Sequence, residues 1–345
     1  MVMVFFGTNR NMTGTPEEIE FGDGFNPDGP GALRFGWADV PESCFDDDTK
    51  LGNIRIDVLP ERLAPTPDGI RGFGSRVAFE EVRRKMTKHE RDTVVFIHGF
   101  ANTFRNALRH AALLKVLYAT VPFDMFLFSW PSGGKMVPWM SYYGDREHAK
   151  ASGPAIARAF LKLVDFLADL RKKTPQAEWC DQRIHLMAHS TGNYALRHAV
   201  QGIRSELGDD PPRLFDNVFL FAADEDDDAF EHDHKLRLLP RIARAVNVYY
   251  NPKDEALAIS DKAKGNPDRL GSDGPRLVDD LPRKLTLLDC RDVARSDARD
   301  KFGHDYHRYV PRVIDDVNAI LSALPPERMP WRTYVPEARA FRLQK

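Results

Sequence analysis

Residues Ile184 to Gly192 read Ile-His-Leu-Met-Ala-His-Ser-Thr-Gly, an apolar run that ends on a serine flanked by small residues. The run suits a buried strand, and the spacing Leu196, Ala199, Val200, Ile203 just after it suits one face of a helix. A strand that passes through a serine straight into a helix must turn sharply, and the backbone is crowded two residues either side. Only small side chains fit there. Ala188 and Gly192 meet that need, although the alanine adds a methyl group of crowding that glycine would avoid. Such a turn has a chemical use. A serine hydroxyl is a weak nucleophile, so it must be exposed beside a base and near backbone donors. The segment therefore predicts a nucleophile elbow with Ser190 at its apex and Ala188 in the place of the usual first glycine of Gly-x-Ser-x-Gly.

The remaining pattern predicts what surrounds this turn. Apolar runs suited to buried parallel strands occur at 93–98, 126–130, 184–188, 218–223, 246–250 and 285–288. Helical spacing separates several of them. Residues 104–118 are rich in Ala and Leu; Ile156, Phe160, Leu163, Leu167 and Leu170 make a second stripe, and Val313, Val317, Ile320 and Leu321 a closing one. Strands alternating with helices mean a mostly parallel central sheet flanked by helices, the α/β class, and with the elbow an α/β-hydrolase fold. The expected organisation is a single domain: an N-terminal strand-rich extension with an antiparallel edge over 1–90, a core over 91–325 and a tail over 326–345. Residues 258–283 carry Gly265, Pro267, Gly271, Gly274 and Pro275 and are the candidate lid or substrate loop.

Composition excludes other classes. A net charge of -2 over 345 residues offers no basic field for nucleic acid. Cys44, Cys180 and Cys290 are few, odd in number and widely spaced, which fits reduced thiols and a cytoplasmic setting. No run approaches the ~20 apolar residues of a membrane span. The acidic run Asp224-Glu225-Asp226-Asp227-Asp228 is read as a solvated loop, because consecutive acids point in different directions and do not converge on a metal. No metal and no cofactor are expected, and the oligomeric state is left open.

Ser190 needs a base, an acid and an oxyanion hole. The order Ser, acid, His selects His304, which follows Gly303 after the last strand, with His307 as the alternative. Asp254, just past the run at 246–250, is the expected acid that orients the imidazole. Asp224 and Asp226 after the preceding strand are its rivals, and Glu255 is a weaker one. Thr191 and Phe100 are expected to supply the oxyanion N–H groups, with Ala101 as the alternative to Phe100. His98 is read as a brace for that loop. It joins Trp130 and Tyr142 as candidate pocket lining, although these aromatics could equally pack the loop against the body.

Seven blocks carry a resemblance: Phe6-Gly7-Thr8-Asn9-Arg10, Phe96-Ile97-His98-Gly99-Phe100, Phe128-Ser129-Trp130-Pro131-Ser132, Asp145-Arg146-Glu147, Ala188-His189-Ser190-Thr191-Gly192, Ala222-Ala223-Asp224 and Gly303-His304. In these the chain resembles a bacterial group of α/β-hydrolases of unknown function within the esterase/lipase superfamily. The resemblance implies the fold and a serine-hydrolase triad. The expected activity is cleavage of a carboxylic ester through Ser190, His304 and Asp254 and an acyl-enzyme, on a small-molecule ester or acyl substrate. A thioesterase, lipase, amidase or acyltransferase on the same triad is the alternative, or a non-catalytic binding module of the same fold. A metal-dependent hydrolase using the acidic loop ranks last.

Overall fold

In the computed structural model, residues 1–15, 18–60, 73–133, 140–173, 175, 180–264, 268–295 and 298–345 are described, and of residues 48, 140–143 and 260–264 the backbone alone. The strands are β1 (Val2–Thr8), β2 (Arg10–Gly14), β3 (Ile19–Phe25), β4 (Arg34–Val40), β5 (Arg55–Leu59), β6 (Asp92–Ile97), β7 (Phe123–Ser129), β8 (Ile184–His189), β9 (Phe215–Phe221), β10 (Ala243–Tyr250), β11 (Leu285–Asp289), β12 (Arg332–Val335) and β13 (Ala340–Leu343). The helices are α1 (Gly74–His89), α2 (Phe104–Leu117), α3 (Met140–Lys173), α4 (Thr191–Leu207), α5 (Leu239–Ile242), α6 (Glu255–Lys264), α7 (Leu270–Asp273), α8 (Tyr306–Tyr309) and α9 (Pro311–Leu321).

Each apolar run in the sequence becomes a strand of one 11-stranded sheet, ordered β12-β13-β11-β10-β9-β8-β6-β7-β1-β4-β5. Every neighbouring pair from β13 to β1 is parallel, and β12, β4 and β5 add antiparallel edges. Both faces are covered, which is why these strands are continuously apolar instead of alternating. Helices α1, α3 and α4 supply Phe79, Ile156, Phe160, Leu196 and Val200 to one core layer. Helices α2 and α9 supply Ala107, Leu108, Val313 and Val317 to the other. A buried Phe or Leu in such layers contributes roughly 1.5–3 kcal/mol.

Three parts differ from the sequence expectation. Strand β1 is not at an antiparallel edge but inside the sheet, parallel to β7 with Phe5 opposite Phe126. Residues 326–345, expected as a tail, add two strands to the sheet: β13 pairs with β11 and β12 closes the edge. The extension also contains helix α1, whose Ala78, Phe79, Val82 and Met86 form a buried stripe among charged residues. The candidate lid is anchored where it is described. Leu270 N–H donates to Glu225 O at 2.8 Å, Gly271 N–H to Ala223 O at 3.0 Å, and Gly271 O accepts from Asn251 N–H at 2.9 Å. A Cβ on Gly271 would meet Ala223 N at 2.2 Å, so the segment lies against the strand ends. Gly265 and Pro267 fall outside the described residues.

The topology fixes where a ligand can sit. Strands β6 and β8 are neighbours, but β6 continues through α2 to β7 on one side and β8 through α4 to β9 on the other. The loops after β6 and β8 therefore diverge and leave a crevice at the carboxyl ends of the strands, the usual ligand position in an open α/β sheet. No described helix is long and apolar enough to cross a membrane.

Candidate active site

Ser190 occupies the crevice between those loops. It has φ 52° and ψ −129°, a combination sparsely populated by residues other than glycine, which costs about 1–3 kcal/mol and must be held in place. The holding groups are present. Ser190 N–H donates to Phe221 O at 3.0 Å, and Ser190 O accepts from Asn193 N–H at 2.9 Å and Asp224 N–H at 3.3 Å. The fully buried Asn193 amide donates towards Ala188, Ser190 and Phe221 carbonyls at 3.3, 3.1 and 3.3 Å. The crowding expected from the sequence is real: a Cβ on Gly192 would lie 2.6 Å from Ile97 O and 2.5 Å from His98 O. The sequence signal for Asn193 is an amide in the first turn of an otherwise apolar helix face.

His304 and Asp254 meet. The imidazole Nδ1 lies 2.7 Å from Asp254 Oδ2, and the other carboxylate oxygen accepts from Leu257 N–H at 3.0 Å at the start of α6. Burial disfavours the imidazolium, but the charge and hydrogen bond of Asp254, with smaller shares from Asp305 and Asp300, outweigh it and raise His304 to about 9. The loop carrying the imidazole is clamped. Asp300 accepts from His304 N–H at 2.9 Å and Asp305 N–H at 2.8 Å, Asn251 donates to Gly303 O at 2.9 Å, and His189 Nε2 lies 3.2 Å from His304 O.

His307 has a different place. Its ring lies between Phe221 at 5.1 Å and His189 at 4.2 Å, it is 2% exposed, and its Nδ1 has no partner among the described residues. Burial first, then the neighbouring His189 and Arg308, keep it neutral, and burial likewise lowers His189 to about 3. His189, Asp305 and His307 offer ligand atoms within 4.8 Å of one another. The two imidazole rings pack 4.2 Å apart with their planes at 32°, and Asp305 is also held by Arg308 at 2.6 Å.

The loop after β6 is built to face Ser190. A Cβ on Gly99 would meet Ser190 Cβ at 2.8 Å, and Ala101 has φ 56°. The Asn102 amide donates back to Gly99 O at 3.1 Å and Phe100 O at 2.9 Å, which fixes the backbone of the loop. Asn102 O accepts from Arg10 Nη2 at 2.7 Å. The same guanidinium, fully buried, donates to Gly22 O at 2.9 Å, Ser132 O at 3.2 Å and Ser129 Oγ at 3.0 Å. Asp145 answers its charge and accepts from Ser132 Oγ at 2.6 Å. Arg10, Asn102, Ser132 and Asp145 are distant in sequence, and only folding brings them under one loop. Thr191 begins α4, so its N–H belongs to a helix N-terminus that favours negative charge.

His98 and Trp130 brace this loop. Burial lowers His98 to about 3; its neutral ring stacks on Trp130 at 5.1 Å, and Trp130 Nε1–H donates to His98 O at 2.8 Å. Both are 0% exposed, and these contacts pack them against the loop. Tyr142 lies on α3, and its side chain is outside the described residues, as is Trp139.

The acidic run is not a solvated loop. Asp224 is 1% exposed and Glu225 0%, with basic side chains folded over them. Arg146 lies 3.2 Å from Asp224 Oδ2 and stacks on Tyr194 at 3.5 Å, and Thr191 Oγ donates to the same carboxylate at 3.2 Å. Asp226 is paired with Arg269 at 2.6 Å and Lys235 at 2.9 Å. These two carboxylates pair with cations, and the one that meets His304 Nδ1 is that of Asp254. Burial raises Glu225 to about 7, with Arg197 at 3.4 Å its main counterweight.

A doubly covered parallel sheet, a serine at a strained strand-to-helix turn and a histidine–aspartate pair from later loops define an α/β-hydrolase. The chain belongs to the family described as alpha/beta hydrolase of unknown function (DUF900), whose model matches residues 75–322. No curated protein matches the chain. Among solved structures, it is similar to phospholipase PlaB from Legionella pneumophila in complex with thio-NAD, at 16% identity, a TM-score of 0.25 and coverage of 62% of this chain and 40% of that one. The Pyrococcus horikoshii acylaminoacyl peptidase is similar at 10% identity and a TM-score of 0.22, over 90% of this chain and 50% of the other. This chain thus spans half or less of the length of those proteins, and likenesses this distant say nothing about substrate.

Proposed function

We propose that this protein is a serine hydrolase that cleaves carboxylic esters. The observation that carries the reading is the 2.7 Å contact between His304 Nδ1 and Asp254 Oδ2, on loops that follow β11 and β10 in the sheet whose β8 ends at Ser190. Asp254 orients the imidazole and stabilises its charged form. His304 Nε2 takes the proton as Ser190 Oγ attacks the ester carbonyl carbon. The N–H groups of Thr191 and Phe100 receive the developing oxyanion, and the alcohol leaves with the proton from His304. Water, deprotonated by the same imidazole, then releases the acid from the acyl-enzyme. Oxyanion donors of this kind are each worth ~10²–10³ in rate.

The test is hydrolysis of p-nitrophenyl esters from acetyl to palmitoyl by wild type and Ser190→Ala side by side, with fluorophosphonate labelling of both. Turnover and labelling confined to the wild type support the reading. Equal turnover by Ser190→Ala refutes it, and labelling without ester turnover points to thioester or amide substrates.

A further inference from the structure

The turn between β6 and α2 is tied together by one side chain. Asn102 Nδ2 carries two hydrogens and meets two acceptors, Gly99 O at 3.1 Å and Phe100 O at 2.9 Å. An amide oxygen in that place would face two carbonyl oxygens, so the orientation of the carboxamide follows from its partners. Asn102 is itself held. Its N–H donates to Ser132 Oγ at 3.1 Å, its carbonyl accepts from Arg10 Nη2 at 2.7 Å, and the residue is 9% exposed.

Peptide planarity turns these two bonds into a statement about hydrogens. In a trans peptide the N–H points opposite to the C=O, and both peptide bonds here are trans. Two successive carbonyls drawn to one nitrogen therefore send two successive N–H groups, those of Phe100 and Ala101, to the side away from the Asn102 amide. Gly99 O is held a second time, by Nδ1–H of the neutral His98 at 2.8 Å, while His98 Nε2 accepts from Ser129 Oγ at 3.2 Å. The aim of Phe100 N–H thus has two supports, and that of Ala101 N–H rests on the bond from Asn102 to Phe100 O. Ala101 N–H has no hydrogen-bond partner among the described residues. Its φ of 56° is a strained value for a residue with a side chain and must be held by its surroundings. The turn lies against the elbow, since a Cβ on Gly99 would meet Ser190 Cβ at 2.8 Å and His189 O at 3.1 Å.

We propose that Asn102 is a positioning residue that recruits Ala101 N–H as a third oxyanion donor, beside those of Thr191 and Phe100. The inference rests on the ester-hydrolase reading, in which the carbonyl oxygen becomes negative as Ser190 Oγ adds to the carbon and its proton passes to His304. In this role Asn102 touches no reacting atom. It acts by fixing where the backbone hydrogens of the turn point before the substrate arrives, so that no reorganisation is needed as the charge develops.

The test is Asn102→Leu in the full chain, which keeps the branched shape and removes both donors without adding charge. Circular dichroism checks the fold, and Asn102→Ser is carried alongside as a smaller variant that should show the same pattern. On p-nitrophenyl acetate, kcat should fall ~10²-fold, the worth of one oxyanion donor, with KM within about threefold of wild type. The second readout is Ki for an alkyl trifluoromethyl ketone, whose adduct with Ser190 carries the negative oxygen. Ki should rise by the factor that kcat/KM loses, because the adduct imitates the transition state. A folded variant with wild-type kcat and Ki overturns the proposal. A fall in kcat with unchanged Ki also overturns it, since Asn102 would then support the fold and not the oxyanion. Turnover kept by Ser190→Ala removes the ester reading and this proposal together, whereas turnover lost in Ser190→Ala and kept in Asn102→Leu removes this proposal alone.

Discussion

Replacing Asp254 by Asn separates the orienting charge from the fold that carries it. Asp254 is 2% exposed, and its Oδ1 caps the start of α6 through Leu257 N–H. Asparagine keeps one oxygen for that cap, so the helix should survive. What it removes is the negative charge 2.7 Å from His304 Nδ1. Burial alone would push His304 below its ordinary 6.5; the acidic neighbours, Asp254 foremost, reverse this and raise it to about 9. For a side chain 14% exposed, that rise corresponds to roughly 3 kcal/mol favouring the imidazolium. Catalysis needs the neutral imidazole, so wild-type kcat/KM should climb with pH and level off near the raised pKa. In Asp254→Asn the climb should move down to below 6.5, and the plateau should fall by on the order of 10⁴ because the imidazole loses its orienting acceptor. Linkage gives a second readout. A raised folded pKa stabilises the fold fully below 6.5 and loses that contribution as pH rises through about 9. The stability gap between wild type and variant should therefore be widest in acid and narrow towards the alkaline end. The assay is p-nitrophenyl acetate hydrolysis across the pH range, with urea unfolding at its two ends. A plateau within tenfold of wild type and an unmoved climb would falsify the assignment of Asp254 as the orienting acid.

Other consequences follow from the same geometry. Ser190→Gly should abolish turnover yet raise stability by about 1 kcal/mol in urea unfolding, because glycine accepts the positive φ at little cost; a less stable variant would mean the turn is not strained. Glu225→Gln should stabilise the protein at neutral pH. A folded pKa raised from 4.5 to about 7 makes ionisation unfavourable, so the gain should grow as pH rises through that window, to at most ~3 kcal/mol. A benefit largest in acid would contradict this sign. Arg10→Lys cannot serve four acceptors with one ammonium, and should cost about 2–5 kcal/mol and lower kcat more than it raises KM. Unchanged kcat in a folded variant would remove Arg10 from the support of the loop.

The sequence by itself determined the parallel sheet, the elbow and the loops on which its partners ride. These are local properties: apolar runs of strand length, helical spacing, and a serine that tolerates only small neighbours two positions away. The chain order also nominated His304 and Asp254, residues that the fold brings to 2.7 Å. What it could not decide were matters of pairing between distant segments. Which cations fold over the acidic run was one of these, since Arg146, Arg197, Lys235 and Arg269 come from four different places in the chain. Five consecutive acids look solvated when read locally; four of them, Asp224, Glu225, Asp227 and Asp228, are buried in the fold. The same holds for Arg10, whose position near the N-terminus gave no sign that it would lie beneath the loop at Asn102. Periodicity reports which face of an element is apolar. Where two charges 100 residues apart come to rest is set by the crossovers of the sheet, and only the tertiary structure records it.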